Sequence, residues 1–119
     1  MSYRLIISLF GSSGILLGAF GAHLLKPSLP LTQMDTFKTA VFYQLIHTLA
    51  LLCLETTSGS SFTWPKRFFT SGIILFSGSL YILILTGLPL LGWITPLGGL
   101  LLVLGWLGLL KTHWYLTSS

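Results

Sequence analysis

The sequence predicts an all-α integral membrane protein, a four-helix bundle with short loops, and three observations predict it. Only 7% of its 119 residues are charged while 53% are apolar. Soluble domains run near 25% charged, so this chain has too few polar side chains to cover a surface facing water. The apolar residues fall into four runs, each close to the ~20 residues that one bilayer crossing needs. Proline, glycine and charged residues separate the runs. The whole chain, 1–119, is expected to form a single transmembrane domain.

The first run, Leu5 to Leu25, is uncharged over about 21 residues, long enough to cross a bilayer and longer than a signal-peptide core. Its small residues from Gly18 to Ala22 have the look of a cleavage site, but the length predicts a retained helix. Gly11, Gly14, Gly18, Gly21 and Ala22 recur at steps of three and four, along one stripe. Lipid tails accommodate leucines as well as another helix does, so helices associate where small residues let backbones approach. The stripe is therefore the expected contact surface within the bundle, and self-association into a homo-oligomer is its alternative use. Lys26-Pro27 and Pro30 stop this helix.

The second run spans roughly Thr36 to Leu54, and Thr32-x-x-Asp35 predicts a capping box at its start. Glu55 through Arg67 reads as a polar loop. The third run, Phe68 to Leu88, carries Gly72, Ser79 and Thr86 at seven-residue steps. Leu88-Pro89 to Gly92 predicts a tight turn. The fourth run, Gly92 to Leu110, has a second small-residue seam in Gly98, Gly105 and Gly108.

Four crossings put both termini on one face. That face carries Arg4, Lys66, Arg67 and Lys111, and the opposite face carries Lys26 and Lys38 with Asp35 beside them. The positive-inside bias then predicts cytoplasmic termini in a bacterial inner membrane. Tyr3, Trp64, Trp114 and Tyr115 fall at the inner boundary and Trp93 at the outer one, where amphipathic rings settle. The net charge of +4 thus belongs to the edges of the spans, and the expected partner is the lipid bilayer rather than nucleic acid. Cys53 has neither a disulfide partner nor companion zinc ligands and reads as an inert packing residue.

Polar residues inside a span are costly, so function is sought there. At about 1.5 Å per residue, His47 lies near the midplane, and Ser77 and Ser79 reach nearly the same level, close enough to bond it or one another. Tyr43 and Gln44 sit one turn nearer the outer face, on the same side of the helix as His47, and Tyr81 reaches their level. His23, Thr86 and Thr95 lie near the outer boundary. The candidate site is therefore an intramembrane polar cluster of His23, Tyr43, Gln44, His47, Ser77, Ser79 and Tyr81, running from mid-membrane outward. Either these side chains satisfy one another and set the register of the bundle, or they line an outward-facing vestibule for a small solute.

Sharper chemistry lacks its residues. Asp35 and Glu55 both sit at helix ends, so no carboxylate is placed at mid-depth for proton-coupled export. Cys53, six residues on, points away from His47 around the helix, and nothing marks an orienting acid or oxyanion hole for Ser77 or Ser79, so no catalytic residue is expected. His23 and His47 differ in depth by roughly 10 Å, too far apart for a bis-histidine haem, and neither cofactor nor metal is expected. Gly98-Gly99 lacks the lysine of a phosphate-binding loop. His113 reads as interfacial.

Gly18-Ala19-Phe20-Gly21-Ala22-His23, Tyr43-Gln44-Leu45-Ile46-His47-Thr48-Leu49-Ala50, Phe76-Ser77-Gly78-Ser79-Leu80-Tyr81 and Thr95-Pro96-Leu97-Gly98-Gly99 stand one to a span. In that order they resemble the signatures of the small four-span membrane proteins typified by bacterial YgdD and eukaryotic transmembrane protein 256, the family of domain of unknown function 423. The resemblance covers about Gly11 to Trp106. It implies an integral membrane protein of undefined biochemical role, brings no catalytic residue with it, and counts the seven cluster residues among its motif positions. The function expected overall is a non-enzymatic structural or partner-binding membrane component, with other membrane proteins as candidate partners and an unknown ligand. The alternative is small-solute binding or permeation through the vestibule.

Overall fold

Each apolar run folds as one long helix, because in lipid every backbone N–H and C=O must be satisfied within its own segment. The computed structural model describes residues 2–58 and 62–117, with side chains for 2–57 and 62–110. Helix α1 covers Tyr3–Leu25, α2 Leu31–Ser58, α3 Thr63–Thr86 and α4 Leu91–Thr117. All four are long and apolar enough to cross a membrane.

The helices outrun the apolar runs that predicted them. Helix α2 opens at Leu31, with the Met34 N–H on the Pro30 carbonyl at 3.0 Å. A proline suits that edge because it has no N–H of its own to satisfy. The capping box expected from Thr32 and Asp35 is therefore not formed. Both residues lie inside the helix, and their carbonyls accept from the Thr36 and Thr39 hydroxyls. The polar loop expected from Glu55 to Arg67 is likewise shorter, since Glu55 to Ser58 continue α2 and Thr63 to Arg67 open α3. The reason is a salt bridge between Lys66 and Glu55 at 2.9 Å, which lets two charged helix ends pack together. Gly59 to Ser61 of that loop, and the side chains of Lys111, His113, Trp114 and Tyr115, lie outside the described residues. The turn at Leu88 to Gly92 is present, entered through Gly87, whose φ of 68° is the left-handed conformation that favours glycine and whose N–H caps the Leu83 carbonyl.

Neighbours in sequence are neighbours in space: α1 packs on α2, α2 on α3 and α3 on α4. The small-residue stripes set these approaches. A methyl group on Gly14 would lie 2.6 Å from Leu45, and one on Gly18 or Gly21 about 3 Å from Val41 or Phe37. Between α3 and α4, Gly98 sits directly against the Phe76 backbone, while Gly105 and Gly108 admit Phe69 and Pro65. Two apolar cores result. Leu51, Leu54, Phe69, Ile73 and Leu102 fill the end near the termini, and Met34, Phe37 and Val41 fill the other. The outward faces carry exposed Leu24, Leu85 and Leu110, as a surface solvated by lipid tails does.

Helix α1 is not α-helical throughout. From Leu17 to Gly21 the chain winds as a π turn, a local widening of the helix that occurs mostly as single turns within α-helices.

Candidate functional site

Between the two apolar cores, α2 presents a polar layer whose centre is Gln44, 4% exposed. Its Nε2 donates to the Phe10 carbonyl at 2.8 Å and to the Ser13 hydroxyl at 2.9 Å, both on α1. Its Oε1 accepts from the Tyr81 hydroxyl of α3 at 2.7 Å. The close approach that delivers α1 to this amide is Gly14, beside both Gln44 and Leu45. One side chain thus joins three helices.

His47, one turn along and 3% exposed, reaches the fourth. Its Nδ1 lies 2.7 Å from the Tyr43 carbonyl. A carbonyl only accepts, so Nδ1 carries the proton and Nε2 accepts from the Trp106 indole N–H of α4 at 2.9 Å. Aromatic rings enclose the imidazole, with Tyr43 stacked at 5.8 Å and Phe69 and Trp106 each at 5.7 Å between centroids. Among the described residues, no buried side-chain nitrogen or oxygen lacks a hydrogen-bond partner.

The predicted cluster is partly assembled and partly dispersed. Gln44 and Tyr81 meet directly, and Tyr43 meets His47 through its ring. The serines do not bond His47. Ser77 donates to the Ala40 carbonyl at 2.7 Å, and Ser79 pairs with Thr95 of α4 at 2.6 Å. Counted from the helix ends on that side, Ser77 lies about fourteen residues in and His47 about eleven, so the serine sits roughly 4 to 5 Å beyond the imidazole. His23 stands apart, exposed beside a cavity at the far end of α1. Cys53 is exposed on the lipid-facing side rather than packed.

Several residues that take part in these polar contacts lie outside the predicted cluster, among them Ser13, Thr95, Trp106 and Lys66. Trp106 was missed because the fourth run stops at Leu110, which puts the indole near a boundary. The helix runs on to Thr117, so Trp106 and His47 each lie about eleven residues, or roughly 16 Å, from the same end of their helices. Lys66 was placed at the membrane edge, yet it is 2% exposed, paired with Glu55 and positioned 4.9 Å above the Tyr3 ring.

The four-helix architecture and its polar layer coincide with a family-model match over residues 17–99, described as a protein of unknown function, DUF423. The chain belongs to this family. Relatives include a UPF0382 membrane protein of Staphylococcus aureus, 44% identical over 78% of this chain and 79% of its own. Another, from Staphylococcus haemolyticus, is 45% identical over 78% and 79%. The UPF0382 inner membrane protein YgdD of Escherichia coli K12 is 38% identical over 89% of this chain and 86% of its own. No solved structure matches. The family match takes in Gln44, His47, Ser77, Ser79 and Tyr81, while Trp106 lies beyond its last residue. This family member is thus a membrane protein, and its family has no established activity.

Proposed function

We propose that the chain acts as a single non-enzymatic domain of a bacterial cytoplasmic membrane, with both termini on the cytoplasmic face. Its intramembrane polar cluster holds four helices in one register as a structural or partner-binding component. The observation that carries this reading is the internal use of Gln44 and His47. Both amide donors of Gln44 and its oxygen are engaged by neighbouring helices. His47 donates through Nδ1 and accepts through Nε2, which leaves the ring no lone pair for a proton, a metal or a nucleophile's hydroxyl. A general base needs that lone pair. Gln44 and His47 are also almost wholly buried, 4% and 3% exposed, which favours cohesion over a solute path. The location follows the inner-membrane designation of the Escherichia coli relative.

Cysteine substitution tests this. In a Cys53→Ser background, Gln44→Cys and His47→Cys should both stay unlabelled by a membrane-impermeant thiol reagent added from either side. Rapid labelling at either position would replace cohesion with a water-filled vestibule.

A further inference from the structure

At the end of the bundle away from the termini, a cavity of about 600 Å³ opens between the last turns of α1 and the first turns of α2. Its walls combine two chemistries. Ala19, Ala22 and Met34 contribute apolar lining, and Lys26, Lys38 and His23 contribute basic lining. The small residues of the π turn, Gly18 and Ala19, keep the α1 wall low. Among the described residues neither lysine has a carboxylate within ion-pair distance, and the exposed Asp35 on α2 does not line the cavity. Two like charges lining one cavity repel, and an anion bound there relieves that repulsion.

We propose that this groove binds the headgroup of an anionic phospholipid. The phosphate would pair with Lys26 and Lys38, and the first methylenes of one acyl chain would lie along Ala19, Ala22 and Met34. Position selects a lipid over a soluble anion. The cavity lies where two membrane-spanning helices end, at the level where headgroups are concentrated and acyl chains begin. Its apolar lining is of no use to free phosphate. Its size suits a headgroup and the upper part of one chain rather than a whole lipid, and lysine is suited to a phosphate as a point charge. The inference is independent of the cohesive role of Gln44 and His47, and of which face is cytoplasmic.

The test uses the full chain purified in a neutral detergent, titrated with short-chain phosphatidylglycerol, phosphatidylcholine of the same chains, or inorganic phosphate, and read by native mass spectrometry. Phosphatidylglycerol should bind well above the other two. Lys26→Gln with Lys38→Gln should weaken it roughly tenfold or more, since each lysine near a headgroup contributes appreciably to anionic-lipid binding. Arg4→Gln with Arg67→Gln, at the opposite end, should leave it unchanged, and Ala19→Phe should weaken it by filling the cavity with the charges intact. Equal binding of the two lipids, or equal loss in both charge variants, would overturn the proposal. Inorganic phosphate competing at the same concentration as phosphatidylglycerol would overturn its assignment to lipid.

Discussion

Gln44 and His47 illustrate what a polar side chain must do to persist at mid-membrane, where no water can satisfy it. Each has a partner for every buried donor and acceptor, and the partners lie on other helices or one turn back. Trp106→Phe retains a ring and removes only the N–H, leaving Nε2 of His47 without a donor. It should lower stability in detergent by about 1 kcal/mol, the scale of an interhelical bond in a membrane bundle, as measured by thermal melting. Glu55→Gln should cost more, about 2 kcal/mol, because it leaves the Lys66 ammonium buried without its counter-charge. An unchanged melt for either variant would remove that contact from the account. At this scale the sequence was half legible. The costly residues could be located by counting depth, but their bonds depend on the register between helices. The register of α3 against α2 sends Ser77 to the Ala40 carbonyl, of a residue about two turns from His47, rather than to the imidazole.

The helices themselves were the most legible features, because length, hydropathy and the spacing of glycines all act within one segment. The stripe of Gly11, Gly14, Gly18 and Gly21 does face a neighbouring helix, and the fourth-span seam does too. Their ends were less legible. Charged residues such as Glu55 and Lys66 belong to helices only because they pair across them, and nothing in the local pattern carries that information. The π turn at Leu17 to Gly21 was not legible at all, since glycine and alanine permit it without requiring it. Two glycines of similar appearance separate packing from propensity. Gly98→Ala would press a methyl group into the Phe76 backbone and should cost about 2 kcal/mol, as overpacked positions do. Gly78→Ala meets nothing within 4 Å and should be neutral or stabilising by up to about 1 kcal/mol, through the poor helix propensity of glycine. Equilibrium unfolding in mixed micelles distinguishes the two, and equal effects would contradict the assigned interface.

For the whole molecule, α2 is the hub. It bonds α1 through Gln44, α3 through Gln44 and Ala40, and α4 through His47, while Ser79 and Thr95 close α3 onto α4. Because the driving force for association in lipid is packing and hydrogen bonding rather than hydrophobic burial, these few bonds between apolar cores specify the arrangement more than the leucines do. Orientation belongs to this scale as well. A reporter fused after Ser119 that is active only outside the cytoplasm should stay silent, and activity there would invert the topology. The cohesive role is tested most directly by a double-mutant cycle between Gln44→Leu and Tyr81→Phe, in which unfolding free energy is measured for the parent, both single variants and the pair. The account predicts a favourable coupling of about 0.6 to 1.7 kcal/mol across α2 and α3. A coupling indistinguishable from zero would contradict it.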